Sequence, residues 1–348
     1  MRIGMALQYS GDVVAAAEQA VALEAAGLDV AWIAEAYGFD GVSLMGYLAA
    51  RTERMAIGSY ILNIYSRTPG ALAQTAAGLD AVSQGRFELG LGASGPQVIE
   101  GWHGMPYDKP LGRTREAVDL IRRMLRREVI EHDGLYQLPL DADAARAAGG
   151  TGLGKPLKML TTPRRPEVPI HIASMGPKNV ELTAEIANGW MPAFFHPGKA
   201  ADVFGPSLDA GLAKRDEALG PLDVIAGGAL AFVPEESVEA VLAFARPQYA
   251  LYIGGMGAKG RNFYNDLFRR YGYEAEADEI QDLYLDGKKD EAAALIPLDF
   301  LREMNLVGPE GWVKERLAAW QDAGVTTLNL MPVGDAPQLV ATVRNWLG

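Results

Sequence analysis

Residues 55–69 read Met55-Ala-Ile-Gly-Ser-Tyr-Ile-Leu-Asn-Ile-Tyr-Ser-Arg-Thr-Pro69, and residues 85–96 read Gly85-Arg-Phe-Glu-Leu-Gly-Leu-Gly-Ala-Ser-Gly-Pro96. The apolar runs Met55–Leu62 and Phe87–Leu91 have the pattern of fully buried strands. Between them, Thr68–Ser83 is rich in Ala, Leu and Gln and has Pro69 near its start. Proline is tolerated in the first turn of a helix, where its missing N–H has no partner to lose. Strand, helix and strand in this order form the unit of a parallel sheet. Two flexible loops, Asn63–Arg67 and Gly92–Gly95, follow the strands. In α/β folds ligands gather at the carboxyl ends of strands.

The same rhythm extends in both directions. Strands are predicted at Arg2–Tyr9, Leu28–Ala34, Pro169–Ala173, Gly189–Phe195, Asp223–Val233 and Thr326–Met331. With the two above they make eight βα units. A (β/α)₈ TIM barrel needs about 250 residues, so a single domain over residues 1–348 leaves material for two insertions, at about 131–168 and 235–305. The first is rich in Gly, Ala and Pro, with hairpin character; the second is mainly helical. A doubly wound open sheet competes, but no Gly-x-Gly-x-x-Gly opening follows the first strand.

Composition narrows the chemistry. The 348 residues are 49% hydrophobic and carry a net charge of −12, and none is cysteine. Disulfides, thiolate nucleophiles and Cys-ligated metals are therefore excluded. The acidic surface disfavours nucleic acid and anionic membranes. No run approaches the roughly 18 apolar residues of a membrane helix, and the start lacks a signal-peptide pattern. A cytoplasmic protein acting on a small molecule fits these features.

Gly92-Ala93-Ser94-Gly95 and Ser174-Met175-Gly176-Pro177-Lys178-Asn179 follow neighbouring strands. Small residues let backbone N–H groups approach an anion, and Pro177 opens a helix whose N-terminus adds positive potential. The two segments are a phosphate site or, alternatively, two ordinary turns. Gln8, Glu35 and Asn63 stand at strand carboxyl ends, where they could act on a substrate. Glu35 is a candidate general acid or, alternatively, a helix cap or an arginine's ion-pair partner. His103, His132, His171 and His196 lack metal-ligand spacing, so no metal site is expected. His171 reads as a core residue, while His196 could face the site. Trp32 reads as core. Lys155, Lys158, Arg164 and Arg165 form a basic cluster that is either a solvated face or a surface for an anionic tail.

The chain resembles the bacterial-luciferase-like superfamily of barrels, in its coenzyme F420-dependent branch. The likeness rests on Asn63-Ile-Tyr-Ser-Arg-Thr-Pro69, Ser83-Gln-Gly-Arg-Phe-Glu-Leu-Gly-Leu-Gly92, Ser94-Gly-Pro-Gln-Val-Ile-Glu-Gly-Trp102, Gly176-Pro-Lys-Asn179 and Ala184-Glu-Ile-Ala-Asn-Gly-Trp190. The strand-four and Gly-Pro-Lys motifs are also similar to those of methylenetetrahydromethanopterin reductase. The resemblance implies a homodimer and hydride transfer by F420, with the deazaflavin across the strand ends. It implies a cis peptide bond at Tyr60–Ile61 against the cofactor's middle ring, and the two glycine loops around its side-chain phosphate. Gln8, Glu35 and Asn63 would orient the substrate or move the accompanying proton. The substrate is not readable. An FMN-dependent monooxygenase on the same barrel and a deazaflavin-binding protein without turnover are the alternatives.

Overall fold

A computed structural model describes residues 1–7 and 11–348. Eleven strands occur among these residues: β1 (Arg2–Ala6), β2 (Val30–Ile33), β3 (Ala56–Ser59), β4 (Leu62–Asn63), β5 (Phe87–Gly92), β6 (Ile170–Ala173), β7 (Gly189–Met191), β8 (Asp223–Ala226), β9 (Ala229–Phe232), β10 (Leu306–Gly308) and β11 (Thr327–Pro332). Eight of them close into a parallel barrel in the order β1, β2, β3, β5, β6, β7, β8, β11, with β11 returning to β1. This is the TIM barrel expected from the repeated βα pattern.

The helices form where the local signals stand. Thr68 caps the helix Pro69–Val82, its Oγ1 accepting the Ala71 N–H at 3.2 Å. Pro177 occupies the first turn of Pro177–Ile186 behind Gly176. Aliphatic side chains from the outer strand faces and the surrounding helices make the main core, and a second, smaller cluster fills the bore. Trp32 is its largest member and is fully buried, in agreement with its reading as core. A Cβ at Gly58 would lie 2.1 Å from the Trp32 ring, and one at Gly4 would lie 2.7 Å from its Nε1. Glycine at these inward positions makes the room that an indole inside an eight-stranded barrel needs.

Several boundaries differ from the sequence reading; the strand expected over Gly189–Phe195 ends at Met191. The third strand stops at Ser59, and the backbone resumes as β4 after a cis bond at Tyr60–Ile61, the position the resemblance implies. The long run at 223–233 divides at Gly227 and Gly228. Cβ atoms there would fall 1.9 Å from the Asn329 carbonyl oxygen and 2.2 Å from that of Met304. Only bare backbone fits between these chains, so β9 leaves the barrel wall. It pairs with the outer end of β11 and, on its other side, with β10, a three-residue strand the sequence did not reveal.

In 131–168 the structure has one antiparallel bridge, His132–Leu138, and a helix at Ala142–Ala147. The second insertion is helical, from Val238–Ala243 to Leu298–Glu303, with a π-helical turn at Leu251–Gly255. Among the described residues no helix is long and apolar enough to cross a membrane.

Candidate functional site

The barrel mouth is built around the segment that follows β3. Asn63 pairs with Gly92 across β4 and β5. Its Oδ1 accepts the N–H groups of Tyr65 at 3.1 Å and Ser66 at 2.6 Å, closing the turn after the strand. Asparagine favours this turn because its side chain reaches the backbone two residues on. Its Nδ2 faces His103 Nε2 at 3.3 Å. His103 comes from the loop after β5 and entered the sequence reading only as one of four histidines without metal spacing. Nothing local announces its partner, which lies 40 residues away.

Glu35, at the end of β2, is held by Arg67. The guanidinium contacts Oε1 at 2.5 Å and Oε2 at 2.9 Å, and Oε2 also accepts the Gly41 N–H at 2.9 Å. Arg67 reaches Asp40 as well, at 3.0 Å. Both Glu35 oxygens are therefore engaged by donors. The ion-pair alternative describes the geometry. Gln8 lies outside the described residues.

The two glycine loops differ in character. In the first, a Cβ on Gly92 would come 2.9 Å from Ile61 Cδ1, so glycine lets the residue after the cis bond pack against β5. Ala93 packs on the core, and Ser94 has φ +57°, a left-handed conformation. The Ser94 carbonyl accepts the Tyr107 hydroxyl at 3.3 Å, which ties the loop to the chain beyond it. Gly95 opens the helical turn Pro96–Gly101.

In the second loop the Ser174 side chain turns inward. Its hydroxyl donates to Thr183 Oγ1 at 2.8 Å, because the Thr183 hydroxyl is spent on the Asn179 carbonyl. Met175 packs on the core. Gly176 leaves the first turn of Pro177–Ile186 without a side-chain cap, and nothing lies within 4 Å of where its Cβ would be. Asn179 Oδ1, in that first turn, is buried without a hydrogen-bond partner among the described residues. The Lys178 side chain is 79% exposed and bonds Glu181 at 2.9 Å. The expected full charge at the loop is thus committed to a surface ion pair, and the positive potential comes from the helix end.

Tyr60 forms the floor of the mouth. Its ring tilts over Trp32 at 6.3 Å, and its hydroxyl meets the Asn329 side chain on β11. Burial raises the Tyr60 phenol above its ordinary range. Phe194, after β7, packs against Tyr249, Tyr252 and Tyr264 of the second insertion at 4.8, 5.6 and 5.4 Å. The Tyr252 and Tyr264 phenols also interact electrostatically with that of Tyr60. An aromatic wall therefore covers one side of the mouth, and the sequence reading had not identified it.

Other candidates lie elsewhere. His196 is 4% exposed beneath Tyr271 and Phe300, and burial lowers its pKa. It is a core residue and does not face the site. His171 is in the bore, with Nε2 2.9 Å from Glu88 Oε2. Arg165 bonds the fully buried Asp80 and the Phe87 carbonyl, and Arg164 lies against Gly85. Both arginines therefore sit at the amino-terminal end of β5, opposite the mouth, where Arg165 fastens the first insertion to the barrel. They do not form a surface for a cofactor tail. Among the described residues no cluster of acidic or histidine side chains could hold a metal.

The fold is a (β/α)₈ barrel with the mouth residues gathered at its carboxyl end. Residues 1–327 match the family model described as luciferase-like monooxygenase. The chain belongs to this bacterial-luciferase-like family. It is 39% identical over 343 residues to a protein of Mycobacterium tuberculosis with the provisional name coenzyme F420-dependent oxidoreductase, covering 97% of each. It is 32% identical over 206 residues to the 5,10-methylenetetrahydromethanopterin reductase of Archaeoglobus fulgidus, covering 58% of this chain and 56% of that one. The coenzyme F420-dependent tetrahydromethanopterin reductase of Methanopyrus kandleri superposes with a TM-score of 0.78 at 20% identity, covering 98% of this chain and 96% of that one.

Proposed function

We propose that the chain is an F420-dependent oxidoreductase that moves a hydride between the deazaflavin and a small organic substrate. The carrying observation is the uncapped helix end at Gly176–Asn179, beside the Gly92–Gly95 loop at the mouth. It supports this reading together with the near-full-length relation to a protein named for F420. The residues fit such a cofactor. The helix dipole suits its phosphate, and the unpartnered Asn179 Oδ1 suits a hydrogen-bond donor on its side chain.

When bound, F420 supplies a two-electron hydride carrier. The protein's part is orientation and a dry site. Tyr60 and the aromatic wall exclude water. Arg67 fixes Glu35 and Asp40, and Asn63 fixes the turn after β4. Side-by-side titration of F420 and FMN, followed by cofactor absorbance or tryptophan fluorescence, tests the assignment. F420 is expected to bind at least about tenfold more tightly. A preference for FMN would move the protein to the flavin monooxygenases. F420 binding without turnover of any substrate would leave a carrier.

We also propose that the chain works as a homodimer through the face of Pro69–Val82. A groove of about 1150 Å³ runs between Gly70, Ala77 and Ala81 of that helix and Leu140, Leu157 and Met159 of the first insertion. Leu153 and Leu160, also lining it, are 81% and 97% exposed apolar side chains that a partner could cover. Lys155 and Lys158 also line it, so two copies of an acidic chain can meet here with little repulsion. Sedimentation is expected to give a dimer, and Leu160→Glu with Leu157→Glu to give a monomer. A monomeric wild type would exclude the idea.

A further inference from the structure

Beneath the floor of the mouth, two buried polar atoms in the bore lack partners among the described residues, and they are complementary. Trp32 Nε1 carries a hydrogen and has no acceptor; Asn329 Oδ1 has lone pairs and no donor. Trp32 is fully buried and Asn329 is 7% exposed. Both atoms border the same small space. Gly4 pairs with Asn329 across β1 and β11 and with Val30 across β1 and β2. A Cβ on Gly4 would lie 2.7 Å from Trp32 Nε1 and 3.4 Å from Asn329 Oδ1. Glycine puts no side chain into that space, and the two atoms do not bond each other across it. A buried donor and a buried acceptor left unmade are costly. One water satisfies both, accepting from the indole N–H and donating to the amide oxygen.

The other end of the same amide meets Tyr60. Its hydrogen bond to the Tyr60 hydroxyl opposes burial and lowers the phenol's pKa, so the NH₂ group donates and the phenol oxygen accepts. The Tyr60 hydrogen is then left for an acceptor on the mouth side, where the Tyr252 and Tyr264 phenols also interact with it.

We propose that the bore binds one water molecule between Trp32 and Asn329, and that Asn329, anchored by it, is the positioning residue that turns the Tyr60 hydroxyl hydrogen toward the mouth. The donors then run one way. Trp32 N–H donates to water, water to the Asn329 oxygen, the Asn329 NH₂ to Tyr60, and the Tyr60 O–H to an acceptor on the floor. A flipped amide would reverse the bond to Tyr60. The site takes nothing larger than water, because Val30 Cγ1 stands 3.1 Å from the Gly4 Cβ position and the Trp32 indole occupies the bore. It belongs to the protein whichever cofactor the mouth holds, so it stands apart from the hydride-transfer reading.

The water is read by water–indole cross-relaxation in the full-length wild type, perdeuterated and labelled with ¹⁵N-tryptophan. Trp32→Phe assigns the signal among six tryptophans. A cross-peak to water is expected at the Trp32 indole hydrogen. None is expected at Trp190, equally buried, whose Nε1 donates to the Ser174 carbonyl at 2.9 Å. No cross-peak at Trp32 would overturn the water site. The positioning role is read by titrating the Tyr60 phenol with ¹³Cζ-labelled tyrosine, Tyr60→Phe assigning its signal. Asn329→Leu is expected to raise the Tyr60 pKa and to remove the Trp32 cross-peak. An unchanged Tyr60 pKa would show that Asn329 only packs there, and a lowered one that Tyr60 donates to the amide; either overturns the role. Neutron diffraction from wild-type crystals answers both questions without a variant. It is expected to show D₂O between Trp32 Nε1 and Asn329 Oδ1 and a Tyr60 deuterium directed away from Asn329. A deuterium directed at Asn329 would overturn the proposal.

Discussion

Glu88→Leu is expected to lower the stability of the fold by about 3–5 kcal/mol, the usual cost of removing one partner from a buried ion pair. Glu88 is 8% exposed inside the bore. Its Oε1 accepts Arg2 at 2.6 Å and its Oε2 accepts His171 Nε2 at 2.9 Å. Arg2 has a second carboxylate within reach, Asp223 at 3.6 Å. His171 has none. Its Nδ1 is already buried without a partner among the described residues, hard against Gly189, whose Cβ would fall 2.2 Å away. Leucine at 88 would leave both ring nitrogens unsatisfied, which is why the loss falls mainly on His171.

The same carboxylate sets an acid limit. Burial pushes Glu88 upward, but the hydrogen bonds and charges of His171 and Arg2 outweigh it and hold the group at about 2, against an ordinary value of 4.5. A depressed acid stabilises the fold fully above its unfolded pKa. That stabilisation is lost as the pH falls from 4.5 toward 2. The difference corresponds to roughly 3 kcal/mol. Urea unfolding from pH 7 down to pH 3 should show roughly 2 kcal/mol of this loss in the wild type and a shallower loss in Glu88→Leu. Parallel slopes, or a loss below about 1 kcal/mol at pH 7, would mean the cluster contributes little.

That cluster was partly legible. A glutamate inside the apolar run Phe87-Glu-Leu-Gly-Leu91 and a histidine inside Pro169–Ala173 are both polar residues in strands that are otherwise buried. The two-residue period of a strand puts each on one face. Their meeting required knowing that β5 and β6 are neighbours. The eight barrel strands were readable because both faces are covered, so each is an apolar run bounded by Gly, Pro or Asn. Where burial does not set the pattern, the reading failed. Gly227-Gly228 looks like a turn or a flexible joint, and only the approach of two carbonyls from distant segments makes it a break. β10 has three residues and exists because β9 lies beside it. At the mouth, the positions of Glu35 and Asn63 followed from strand ends, but their roles depend on Arg67 and His103. Those partners are 32 and 40 residues further along the chain.

Arg67→Leu is expected to act on stability and cofactor binding together. Arg67 spans Glu35 with two contacts and Asp40 with one. The Glu35 side chain is only 9% exposed. Without the guanidinium, that carboxylate stays buried with the Gly41 N–H as its remaining donor, at a cost of about 3–5 kcal/mol. Asp40 is more exposed and also accepts from Ser43, so it adds little to that loss. The electrostatic consequence at the mouth is separate. The three groups that summed to −1 become two that sum to −2. Added negative charge at the carboxyl end of the barrel disfavours an anionic ligand there, so F420 affinity should fall, and more at low ionic strength. Fluorescence titration and thermal melts of the same preparations separate the two effects. Arg67→Leu combined with Glu35→Gln removes the buried charge and should regain most of the stability and of the affinity. Non-additivity of that size is the signature of a direct pair. A single variant that melts and binds like the wild type would show that the Glu35–Arg67 pair shapes neither the fold nor the mouth.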